Sequence, residues 1–135
     1  MPSVDFRLYL VTDRHQTLGR PLVSVVGRAV RAGVRAVQLR ERDLPVRALW
    51  SLAIELQREV PDAKLLINDR VDLALALPAH GVHLRESSLP AGAVRRLLQP
   101  SQLLGLSVHS LDGVMAAEQR GADFVVLGPL YDTPS

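Results

Sequence analysis

The side chains best suited to chemistry fall in short groups, and each group closes an apolar run. Thr12-Asp13 ends one run, Gln38, Arg40 and Arg42 another, and Asn68-Asp69 a third. His83, Arg85 and Glu86 come next, then Ser107 with His109, and finally Gly128-Pro129. Guanidinium groups match the geometry of phosphate oxygens. If the segment after residue 39 stays extended, its period of two turns Gln38, Arg40 and Arg42 to one side, and the two arginines clamp an anion. The blander alternative is a solvated loop in which they pair with Glu41 and Asp43. Asn68-Asp69 suits a metal ion or a substrate, while Asp69 also suits the N-cap of a helix starting near Val71. Imidazole titrates near neutral pH, so His109 is a general acid/base candidate, against its being a loop residue before the helix that Ser110 opens. His83 reads as a rim or packing residue, and His15 and His80 as loop residues. No two histidines have the i, i+4 spacing of a helical zinc site. Neither Ser107 nor Ser110 lies on a nucleophile elbow.

The elements that must position these groups alternate along the chain. Strands are expected over residues 6–11, 36–39, 64–67, 82–84, 103–108 and 123–127. Between them, apolar residues recur at helical spacing over 21–32, 45–59, 71–77, 90–98 and 111–120, with Gly33 and Gly121 as stops. Single helices between strands imply parallel pairing with crossovers. The strands are rich in Val and Leu and do not alternate with polar residues, as expected where both faces are covered. A doubly wound sheet and a (β/α) barrel both fit, but no G-x-G-x-x-G follows the first strand. All six polar groups sit at strand C-termini, which share one rim in a barrel, so the α/β TIM (β/α)8 barrel is the expected fold. A full barrel has eight strands and usually at least about 200 residues. The 135 residues here carry about six β/α units, so one domain over 1–135 is expected, with its C-terminal strands missing.

Composition narrows the function. No cysteine is present, which removes thiolate metal sites, disulfides and cysteine nucleophiles. Aromatics are 4%, so the core must be aliphatic. The net charge is +2 and the arginines are scattered without interleaved aromatics, which argues against a nucleic-acid groove. No apolar run spans a membrane and the first residues lack a signal-peptide pattern, so a cytoplasmic protein without membrane contact is expected.

Six segments together resemble the thiamine phosphate synthase/TenI superfamily. They are "YLVTD" (9–13), "VQLRERD" (37–43), "INDRVDLAL" (67–75), "GVHL" (81–84), "GLSVHS" (105–110) and "GADFVVLGPLYDT" (121–133). The resemblance implies a (β/α)8 barrel and thiamin biosynthesis. Synthases of the family join hydroxymethylpyrimidine diphosphate to thiazole phosphate with Mg²⁺, whereas TenI-type members shift a proton to aromatise the thiazole. By resemblance, Gln38, Arg40 and Arg42 bind pyrimidine and pyrophosphate, Asn68 binds substrate, Asp69 holds Mg²⁺ where it is used, and Ser107 contacts pyrophosphate. Arg42 stands where synthases have lysine, Glu86 where they have glutamine, and Ser88 where they have a second metal-binding aspartate. "RER" (40–42) and "SVHS" (107–110) look more like TenI. The leading expectation is therefore a thiazole tautomerase needing no cofactor, with His109 shuttling the proton, Arg40 and Arg42 holding the anion and Asn68 orienting the ring. The alternatives are a Mg²⁺-using thiamine phosphate synthase and a non-catalytic binder of thiazole phosphate. A homodimer is the expected assembly if there is one.

Overall fold

The fold is that of a computed structural model describing residues 2–134. Six strands, β1 (Tyr9–Val11), β2 (Ala36–Leu39), β3 (Lys64–Asn68), β4 (Gly81–Leu84), β5 (Leu103–Val108) and β6 (Phe124–Leu127), form one sheet. All neighbours are parallel and the order in space is the order in sequence. A doubly wound sheet must reverse its strand order at a switch point. This sheet never reverses, which decides for the barrel type, present among the described residues as six strands with five intervening helices. Among the described residues β1 and β6 each have one neighbour.

Five helices follow β1 to β5 in turn: α1 (Leu22–Arg31), α2 (Val46–Glu59), α3 (Val71–Ala76), α4 (Ala91–Leu97) and α5 (Leu111–Gln119). Three begin after a proline, Pro21, Pro45 and Pro90, which stands at the N-cap. Lacking an N–H, proline gives up nothing there, and its carbonyl accepts the first helical bond, from Val25, Leu49 and Val94 respectively. Leu22, Val26 and Val30 form the buried stripe of α1, and Leu49, Ala53 and Leu56 that of α2.

Each strand divides its side chains by parity. Val37, Leu39, Leu65, Ile67, Val82, Leu84, Leu104 and Leu106 join the helix stripes in one apolar core. The intervening positions face the barrel axis. There Phe6, Tyr9, His83 and Phe124 pack ring on ring, with neighbouring centroids 5.4–5.8 Å apart. Gly105 makes room for this cluster, since a Cβ on it would strike the rings of Phe124 and His83.

The sequence boundaries hold closely except at β1, which begins at Tyr9 rather than at residue 6. β2 offers partners only from Ala36 onward, and Phe6 spends its ring on the axial cluster instead. A 3-10 turn, Arg14–Gln16, was not foreseen by the periodicity. Among the described residues no helix is long and apolar enough to cross a membrane.

Candidate active site

The first residue past β2, β4 and β5, together with the last axis-facing residue of most strands, builds the rim. A cavity of about 710 Å³ opens there, lined by Gln38, Arg40, Asn68, Ser107 and His109, with Tyr9, His83, Arg85, Glu86 and Ser87. Five of the seven expected site residues therefore meet around one hollow. Arg42 and Asp69 border a smaller neighbouring cavity, which Arg85 and Asn68 also line.

The expected Arg40–Arg42 clamp is corrected by the backbone. β2 ends at Leu39 and the chain turns at Glu41, so period two no longer applies. The Glu41 carboxylate is buried; it accepts from Thr12 Oγ1 at 2.7 Å, from the Arg14 N–H at 3.0 Å and from Arg14 Nη1 at 3.2 Å. Thr12 Oγ1 in turn accepts from the Arg40 N–H at 2.9 Å, which fixes where Arg40 leaves the strand. Asp43 pairs with Arg14 and His15, so neither acid neutralises Arg40 or Arg42. Among the described residues no ion pair holds the Arg40 guanidinium, and it lies close enough to His83 to disfavour charge there.

Two buried amides lie beside it. Asn68 Nδ2 donates to Gln38 Oε1 at 2.8 Å, leaving the Asn68 carbonyl for a ligand. Burial pushes the Tyr9 phenol well above its ordinary value, the Gln38 amide against it pulling the other way. Burial, with the Arg40 charge adding to it, pushes the His83 imidazole down to about 4, so the ring is neutral at pH 7. Its Nδ1 lies 3.1 Å from the Tyr9 hydroxyl and its Nε2 2.9 Å from Ser107 Oγ. With Gln38 against the phenol oxygen, the Tyr9 hydrogen turns to Nδ1. Nε2 then carries the ring hydrogen and donates to Ser107, whose own hydrogen is left for a ligand.

Tyr9 is the residue that sequence reasoning missed; Arg85 was grouped with the strand-end polar residues but given no role, and His83, taken for a rim or packing group, sits inside the relay. Tyr9 lies two before the end of β1, and Arg85 stands one past β4 as Arg40 stands one past β2. That regularity of position was the signal available. His109, one past β5, is held by its Nδ1–H donating to the Gly128 carbonyl at 2.6 Å.

Asp69 is neither the helix cap nor an open metal ligand. It adopts a left-handed φ of 62°, and Arg70, not Asp69, occupies the N-cap of α3. Ser88 Oγ donates to its Oδ1 at 2.5 Å and Arg85 Nη2 to its Oδ2 at 3.3 Å. Among the described residues no three His, Cys, Asp or Glu side chains converge as a metal site would require. The donor set does not fit Mg²⁺, which is ordinarily met by carboxylate and phosphate oxygens rather than by a guanidinium.

The family described as thiamine monophosphate synthase matches residues 8–135. The chain belongs to it. The chain is 54% identical to a putative thiamine-phosphate synthase of Geobacter sulfurreducens, across 100% of this chain and 64% of the relative. It is 39% identical to the thiamine-phosphate synthase of Caldanaerobacter subterraneus subsp. tengcongensis, across 99% of this chain and 64% of the relative. The solved thiamine phosphate pyrophosphorylase from Pyrococcus furiosus superposes with a TM-score of 0.86 at 33% identity, covering 95% of this chain and 62% of that one. The chain thus spans a little under two thirds of the length of these relatives. Their names correct the leading expectation: they are synthases and pyrophosphorylases, not tautomerases, and the proton-shuttle role given to His109 falls with that reading.

Proposed function

We propose that the protein is a cytoplasmic thiamine-phosphate synthase, transferring the pyrimidinylmethyl group of hydroxymethylpyrimidine diphosphate to the nitrogen of thiazole phosphate. The observation that carries the reading is the main rim cavity, which gathers an arginine that no ion pair holds among the described residues, two buried amides and a serine hydroxyl in a chain of this family. In the reaction the bond between the pyrimidine methylene carbon and the diphosphate oxygen breaks. The thiazole nitrogen lone pair forms the new C–N bond, and negative charge gathers on the departing diphosphate.

Arg40 answers that charge with an uncommitted guanidinium, and donors placed in advance are worth most where charge develops. The Asn68–Gln38 pair gives the pyrimidine edge a fixed carbonyl acceptor, which holds the methylene in line for attack. Ser107, oriented by His83 and Tyr9, offers its hydroxyl hydrogen to a phosphate oxygen. His109, tied to Gly128, closes one side of the cavity and is assigned a positioning role.

The domain reading belongs here too. We propose that further strands of the same chain lie against β1 and β6 and complete one barrel.

The test is to supply the intact protein with hydroxymethylpyrimidine diphosphate and thiazole phosphate, with and without Mg²⁺, and follow thiamine phosphate. Product at an enzymatic rate is expected. Folded protein that binds either substrate yet forms no product would remove the synthase reading.

A further inference from the structure

The turn after β4 reads Arg85-Glu86-Ser87-Ser88, and two bonds close it. The Ser88 N–H donates to the Arg85 carbonyl at 3.1 Å, and the Arg85 N–H donates to Ser88 Oγ at 2.9 Å. With its oxygen accepting from Arg85, the Ser88 hydroxyl directs its hydrogen to Asp69 Oδ1. The second carboxylate oxygen takes Arg85 Nη2. A divalent cation entering here would have to displace both donors and stand against a guanidinium.

Arg85 is not used up by this contact. Guanidinium carries five N–H donors in a fixed fork, and the only side-chain bond it makes among the described residues is the one to Asp69. That pair is 3.3 Å long with both side chains about a third exposed, 36% and 35%, so solvent screens it and its hold is weak. Arg85 Nε is buried without a hydrogen-bond partner among the described residues, an arrangement native proteins rarely leave standing. The same side chain lines the main cavity together with Arg40. Two guanidinium groups, neither fully neutralised, thus border one hollow.

We propose that Arg85 takes the place of a divalent cation beside Asp69, so that a diphosphate is held between Arg85 and Arg40 without metal. The synthase reading supplies the identity of this ligand, the diphosphate of the pyrimidine substrate. Ser88 then serves to position Arg85 through Asp69 rather than to bind metal.

Calorimetric titration of the intact protein with inorganic pyrophosphate tests it, once in EDTA and once in Mg²⁺. Affinity in EDTA should stay within about threefold of that in Mg²⁺, and Arg85→Gln should weaken binding in EDTA by about tenfold, the scale of a charge-assisted bond. Binding seen only with Mg²⁺ overturns the proposal. So does an Arg85→Gln protein, melting as the parent does, that binds pyrophosphate unchanged. Should that variant fail to fold, Mn²⁺ titrated into the parent and followed by its paramagnetic resonance decides the matter: a site abolished by Asp69→Asn overturns the proposal, and no bound fraction upholds it. The two readings fail separately. Thiamine phosphate formed only with Mg²⁺ keeps the synthase and removes the metal-free clamp. Pyrophosphate held by Arg85 in EDTA with no thiamine phosphate formed does the reverse.

Discussion

His83 is the residue on which the rim depends most, because it works only while neutral. Its imidazole is held at about 4 in the folded protein against an ordinary 6.5, burial being the main cause. The unfolded chain therefore binds the extra proton between those values, and stability falls as the pH falls through that window. The loss should reach about 3 kcal/mol by pH 4. Thermal melts from pH 7 to 4.5 check this, and His83→Gln should flatten the slope, leaving the part due to His80, which burial also lowers. Parallel melting curves for parent and variant would remove His83 from that role. On the proposed synthase activity, Arg40→Ala should lower kcat/KM for thiamine phosphate formation about a hundredfold, as loss of an oriented charge-stabilising donor does. Arg42→Ala, outside the main cavity, should cost less than about threefold. The contrast is informative because both arginines look alike in the sequence. What separates them is Glu41, drawn inward by Thr12 and Arg14 from 29 and 27 residues away. Such distant partners leave no trace in local periodicity. His83 was similarly obscured, since nothing in "GVHL" says that Tyr9 and Ser107 stand at either side of its ring.

The elements were legible because their cause is local. Apolar stripes and prolines mark the helices, and continuous apolar runs mark the strands, so the limits agree within a residue or two except at β1. The division of polar groups between the two ends of the sheet was only half legible. At the C-terminal ends they line cavities, whereas at the N-terminal ends they hold the frame together. There Arg95 pairs with Asp123 at 3.0 Å while Asp123 accepts from the Leu104 N–H at 2.7 Å, and Gln102 donates to the Ala74 and Ala79 carbonyls. Glu41 is the exception, a buried carboxylate that frames the rim itself. Glu41→Ala should destabilise the fold by about 3 kcal/mol, because the Arg14 amide and the Thr12 hydroxyl lose their acceptor together. Urea unfolding measures this, and a loss below about 1 kcal/mol would show that water replaces the carboxylate without cost. Gly105→Ala probes the strand interior instead. Its methyl would displace the Phe124 or His83 ring, costing about 2 kcal/mol by overpacking.

At the scale of the molecule, the unsolved demand lies at the two edges of the sheet. β1 and β6 each pair on one side, and Val11, Val126 and Leu127 stand 44%, 45% and 48% exposed along the flanks between them. Unpaired strand edges with apolar side chains invite pairing and are seldom left bare. The sequential strand order leaves one place for a covering element, the gap from β6 round to β1, and about a third of the relatives' length lies outside the matched region. If further strands of the same chain fill that gap, the amides of β1 and β6 that face away from β2 and β5 should be protected in the intact protein. Hydrogen exchange read by mass spectrometry should find them slowed at least about tenfold relative to loop amides. The protection should not change on diluting the protein, since the covering strands are tethered. Protection that disappears with dilution would assign the cover to a second copy, and free exchange at every concentration would mean that the sheet stands open.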